Sequence, residues 1–170
     1  MKPKHQRGAQ AVEFALVLPF FLAILLLVMD FGFLSYNKSV ITNASREAAR
    51  AGTVLTSSTW SAATVATVAC NYAKSALTTT NSATPAPTSC TGASTPTVCP
   101  GVPSLAVQVA NPVGNVPPAF GNPISVTVAY AYPGLLRSII NPSRGSAPPS
   151  TAMGWATTGA LCAVSTMNHE

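Results

Sequence analysis

Three patterns of hydrophobic and polar positions succeed one another along this chain. From Ala9 to Met29 the residues are apolar almost without interruption, giving about 32 Å of helix at 1.5 Å per residue against a hydrocarbon core of about 30 Å. Such a run can span a bilayer. Pro19 removes one helical N–H inside it and disturbs the turn back to Ala15, predicting a kink or local loosening that membrane helices tolerate. From Asn37 to Ala51 the pattern changes to a helical period. Val40, Ile41, Ala44, Ala48 and Ala51 recur at that spacing, with Glu47 beside Arg46, Arg50 and Asn43, so the membrane helix is expected to continue outward until Gly52 and Thr53 weaken it.

Ser57, Ser58 and Thr59 supply N-cap residues for a second helix reaching about Leu77, with Trp60, Val65, Val68, Tyr72 and Ala76 near one face. Residues 78–103 are rich in Thr, Ser, Ala, Pro and Gly and lack the apolar side chains to pack alone; they read as a mobile loop stapled by cysteines. Leu105 to Val109 and Ile124 to Tyr132 then alternate large with small or polar residues, as half-buried strands do. Gly154 to Met167 supplies a third strand, and Leu135 to Ile140 a short helix or turn before it. The fold class expected is α+β: a long N-terminal transmembrane helix running into an outer domain with a second helix and a small antiparallel β-sheet.

Charge changes the picture by its placement. Lys2, Lys4 and Arg7 precede the apolar run, and of the four acids only Glu170 lies beyond Glu47. The positive-inside rule keeps such an N-terminus in the cytoplasm and exports the chain beyond the apolar run, with Asp30 at the far interface. The organisation expected is a basic leader at 1–8, a transmembrane helix at 9–34 and an exported domain at 35–170. A cleaved secretory signal would need a shorter apolar region and a small-residue cut site, whereas Phe31, Phe33 and Tyr36 carry bulk onward. The net charge of +5 does not signal nucleic acid, because three of the cations sit in the leader and Lys74, Arg137 and Arg144 are scattered rather than clustered.

Cys70, Cys90, Cys99 and Cys162 all lie in the part expected outside the cytoplasm, an even number that reads as two disulfides. Of the three pairings four cysteines allow, Cys90 with Cys99 across a short loop is favoured, leaving Cys70 with Cys162. Catalysis needs titratable groups that converge, and the exported part offers Asp30, Glu47, His169 and Glu170, the last two at the C-terminus. A Cys162–His169 nucleophile is outweighed by structural cysteines, and the Cys90 to Cys99 spacing does not suit zinc. No enzyme, metal, cofactor or small-molecule substrate is expected. Two glycosylation-type triplets, at Asn37 and Asn43, fall on the predicted helix and decide nothing.

Glu13 remains, a carboxylate at the head of a membrane segment, where a bare charge costs on the order of 2.5 to 3.5 kcal/mol on insertion scales. If the chain were cut after Gly8, Ala9 would present a free ammonium about one helical turn from Glu13. Pairing of amine and carboxylate between neighbouring subunits in a low-dielectric site would set their axial register. Otherwise Glu13 simply snorkels to the cytoplasmic surface of a plain anchor.

These residues resemble a class III prepilin of the Flp or Tad pilus system, whose leader ends in Gly and whose mature chain carries Glu-Phe or Glu-Tyr at its fifth and sixth positions; Gly8, Glu13 and Phe14 match. Asp30, the stretch Ser45 to Gly52 and the closing Met167 to Glu170 resemble the TadE-like family of minor pilins or pseudopilins. The resemblance implies a structural protein of the inner membrane, cut between Gly8 and Ala9 by a membrane aspartyl prepilin peptidase. Glu13 and Phe14 would act in assembly with other pilins and the pilus machinery, in initiation or adhesion. An exported part of roughly 130 residues points to a minor rather than a major subunit, since a domain of that size exceeds a short pilin. The competing reading is an unprocessed single-pass anchor whose exported domain binds an envelope partner; only the first needs Gly8.

Overall fold

A computed structural model describes residues 6–55, 59–78, 96–111, 119–132, 134 and 159–169. Its elements are α1 (Gln6–Val54), α2 (Ala62–Ala76), β1 (Thr97–Cys99), β2 (Val102–Ala110), β3 (Pro123–Tyr132) and β4 (Gly159–Asn168). The α+β expectation holds: a long apolar helix, a second helix and a four-stranded antiparallel sheet in the order β1-β2-β3-β4.

Helix α1 is 49 residues long and passes through Pro19 without ending. At 1.5 Å per residue it extends about 74 Å, far longer than the domain it serves. Only its C-terminal part packs. Val40, Ile41, Ala44, Ala48 and Ala49 are buried, a helical stripe whose small side chains let α1 lie close to α2 and to β3 and β4. At the end of that stripe the approach is closest. A Cβ on Gly52 would sit 3.3 Å from Ile124 Cδ1 and 3.4 Å from Val65 Cγ2, so glycine is what the three-way contact of α1, α2 and β3 accommodates. The Trp60 indole N–H donates to the Gly52 carbonyl (3.1 Å), satisfying one of the acceptors that a helix C-terminus leaves open.

Helix α2 is capped by Ser61, whose hydroxyl accepts from the Thr64 N–H at 3.0 Å, two residues later than Thr59, the last of the caps expected from sequence. Its buried face is also rotated from the expected one. Val65, Ala66, Ala69, Cys70 and Ala73 are buried, whereas Val68 is half-buried and Tyr72 exposed. A helix wedged between α1 and β2 selects small residues at the contact, and this outweighs the larger apolar side chains on the neighbouring face.

The sheet is a meander. Leu105 pairs with Tyr130 and Tyr130 with Leu161, and the inward series Ile124, Val126, Val128 and Tyr130 of β3 forms the centre of the core. β2 and β3 contain the expected strands, and β4 covers the described part of the expected third one. β1 and the start of β2 correct the reading of 78–103 as loop: Thr97–Cys99 pairs with β2 across a tight turn in which Gly101 has φ +79°. Strand pairing is a long-range contact that local composition, dominated here by Thr and Pro, does not reveal. The segments 79–95 and 135–158, including Leu135 to Ile140 and the first part of the Gly154 to Met167 strand, lie outside the described residues.

Candidate assembly and membrane segment

The Gln10–Val54 stretch contains a window of mean hydropathy 2.7, none of it buried within the molecule. Phe14, Phe20, Phe21, Leu22, Ile24 and Leu27 are all exposed on the N-terminal half of α1, Phe14 at 66%. Burying one such side chain is worth about 1.5 to 3 kcal/mol, so a bare row of them identifies a surface made for lipid or for other helices rather than water. Among the described residues one helix, near the N-terminus, is long and apolar enough to cross a membrane, as the helix of a single-pass anchor is.

Gly8, Ala9, Glu13 and Phe14 share the first turns of α1. The Gly8–Ala9 bond lies near the helix start, where the first N–H groups have no intrahelical partner. Glu13 stands about 6 Å along the axis from Ala9, and both Glu13 and Phe14 are exposed. The apolar window of α1 is not covered by the domain.

Where the apolar half meets the domain, the helix is fastened on several sides. The Tyr132 hydroxyl, at the end of β3, donates to Asp30 Oδ1 at 2.8 Å. Asn37, fully buried, donates through Nδ2 to Thr78 Oγ1 at 3.0 Å and accepts from the Thr78 N–H at 3.3 Å. Tyr36 donates to the Ala76 carbonyl (3.1 Å), and the Lys38 ammonium donates to the Cys162 carbonyl of β4. Three consecutive residues thus reach the last residue of α2, the chain just beyond it and β4, because successive helical positions point about 100° apart. Burial of Asn37 also closes that triplet to glycosylation. Beside this collar an apolar groove of about 410 Å3, lined by Met29, Gly32, Phe33, Tyr36 and Thr78, continues the bare helix surface onto the domain.

Tyr132 is the residue that sequence reasoning missed here; its one signal was an acid closing an apolar helix with no named partner. Burial, then the Asp30 hydrogen bond and charge, push its ionisation well above the usual value near 10. The native state therefore keeps this proton while the unfolded chain releases it near pH 10, and stability falls as pH rises above that point. Tyr132→Phe is expected to cost roughly 1.5 to 3 kcal/mol at neutral pH, the range for a hydrogen bond to a charged group. In denaturant unfolding of the detergent-solubilised protein, the gap between parent and variant should narrow as the pH is raised above about 10. A gap that stays constant with pH would detach Tyr132 from Asp30.

The cysteines correct the pairing favoured from sequence. Cys70 on α2 is bonded to Cys99 on β1, with Cα atoms 5.5 Å apart and a sequence separation of 29, so Cys99 is not joined to Cys90 nor Cys70 to Cys162. The reason is β1, which the loop reading omitted: once Thr97–Cys99 joins the sheet edge, Cys99 faces α2. Cys162 is also disulfide-bonded, so it offers no thiol for a nucleophile with His169; Cys90 lies outside the described residues. Among the described residues no three His, Cys, Asp or Glu side chains converge as a metal site.

Residues 8–50 match the family model described as TadE-like protein. The matched segment begins at the Gly8–Ala9 junction and ends within the packed part of α1, so the likeness covers the bare apolar half, the collar and most of the buried stripe. No curated protein and no solved structure matches the chain.

Proposed function

We propose, from the TadE-like segment at residues 8–50, that the chain is a minor pilin or pseudopilin of a Tad-type pilus, acting in its assembly, initiation or adhesion. In this reading residues 1–8 are a leader removed by a prepilin peptidase between Gly8 and Ala9, residues 9–34 cross the inner membrane, and residues 35–170 are exported. The observation that carries it is one continuous helix whose family-matched apolar half is bare while its other half builds the core of a domain. A rigid helix of this kind lets a subunit move from lipid to a bundle of like helices without refolding, since both surroundings solvate the same side chains. The position of Gly8 and Ala9 at the fraying end of α1 supports processing, because a peptidase can unwind that turn at little cost. The partners in this reading are the membrane, the peptidase, other pilins and the assembly machinery.

The N-terminal residue of the protein from its native membrane tests the proposal directly. A start at Ala9 in wild-type cells, and at Met1 in cells without the peptidase, is the expected result. A start at Met1 in both would replace the proposal with the unprocessed anchor.

A further inference from the structure

Among the described residues, the two most exposed large apolar side chains outside the apolar half of α1 stand at the end of the domain remote from that half: Val54 at 76% and Phe120 at 85%. Both stand where β4 ends, Val54 sharing a cleft with Met167 and Asn168, and Phe120 on a turn tied to His169. The Asn122 N–H donates to the Ala119 carbonyl (2.9 Å), forming the turn that presents Phe120, and this turn is tied to the end of β4 by Gly121 N–H to His169 O (2.8 Å) and His169 N–H to Asn122 O (3.0 Å). Beside it, between the last turns of α1 and the end of β4, lies a cleft of about 450 Å3 lined by Arg50, Thr53, Val54, Met167 and Asn168. The Thr53 hydroxyl donates to the Arg50 carbonyl (2.8 Å), while the Arg50 guanidinium has no hydrogen-bond or ion-pair partner among the described residues.

We infer that this corner is a docking surface for an acidic segment of a partner protein, which places a carboxylate on Arg50 and an apolar side chain against Val54 and Phe120. Charge complementarity selects the occupant. A guanidinium on a packed helix offers a rigid fork that a carboxylate can engage through two parallel bonds, and flanking apolar groups exclude the water that would otherwise compete. A second copy of this chain fits less well, because two of its four acids, Glu13 and Asp30, lie on the apolar half of α1. The inference holds whether or not the chain is cut after Gly8, so it stands or falls apart from the proposed processing.

The test uses the full chain in its native cells, with a photo-crosslinking benzoylphenylalanine at position 120 and, as control, at the exposed position Thr67 of α2. The expected result is a crosslink from position 120 but not 67, to a peptide of another protein that contains Asp or Glu. Its yield should fall roughly tenfold in Arg50→Gln and be partly retained in Arg50→Lys. Both sites are exposed, and a non-reducing map showing Cys70 joined to Cys99 certifies the fold of each variant. A crosslink to a second copy, a peptide without acids, a yield indifferent to Arg50→Gln, or no crosslink at all would each overturn the inference.

Discussion

Glu13→Ala is expected to leave the chain cut after Gly8 yet reduce its recovery in sheared pili by about a hundredfold or more relative to the membrane pool. Removing one partner of a buried ion pair costs about 3 to 5 kcal/mol, because the remaining charge is stranded in low dielectric, and about 1.4 kcal/mol corresponds to tenfold in an equilibrium. On the proposed reading, the stranded group is the ammonium that cleavage after Gly8 would create at Ala9. Glu13 is exposed at the far end of α1 from the domain, so the substitution cannot unfold the core. The measurement is the ratio of processed protein in the pilus and membrane fractions. Glu13→Asp, which keeps the charge but shortens its reach, should fall between the two. Wild-type recovery of Glu13→Ala would remove the pairing argument and leave Glu13 as a boundary residue that reaches the headgroups.

The second large effect is on stability. Replacing Cys70 and Cys99 together by Ala should destabilise the domain by roughly 3 to 4 kcal/mol, the loop-entropy value for a crosslink enclosing about 30 residues. For a domain of roughly 130 residues that is a fall in melting temperature on the order of 10 °C or more. Both half-cystines are buried, Cys70 at 5% and Cys99 at 3% exposure, and the bond is the covalent tie between α2 and the short edge strand β1. A strand of three residues has few backbone hydrogen bonds to hold it, so its loss should expose the α2 face behind it. Thermal unfolding followed by circular dichroism measures the effect, and non-reducing peptide mapping checks the pairing. A Cys90–Cys99 peptide, or a melting temperature unchanged by the double substitution, would contradict this account.

The candidate segment at the N-terminus was legible because membrane physics acts on local sequence. An uninterrupted apolar run, basic residues on one side of it and an acid at its head are each readable without knowing what else the chain touches. The strands β2 and β3 were legible for a similar reason, since alternation is a property of each strand by itself. The failures share the opposite character. β1, the face of α2, the partner of Cys70 and the Tyr132 contact with Asp30 are all fixed by residues distant in the chain. Cys70 and Cys99 are separated by 29 positions, and Tyr132 and Asp30 by 102. Thr97, Val98 and Cys99 sit in a composition that taken alone is loop-like, and only pairing with β2 makes them a strand.

By itself, then, the sequence determined the apolar helix, its continuation through Val40 to Ala48, the two long strands and the α+β class, because hydrophobic period and transfer into lipid are local properties. Tertiary structure decided which half of α1 stays bare and which is buried, since one helical stripe becomes core only when α2 and β3 close over it. It also decided the Cys70–Cys99 bond, the anchoring of Asp30 by Tyr132, and the meeting of Arg50 and Val54 with Met167 and Asn168 in one cleft. Each of these depends on chain closure bringing remote groups within a few ångströms, where hydrogen-bond geometry and side-chain volume, rather than composition, select the partner.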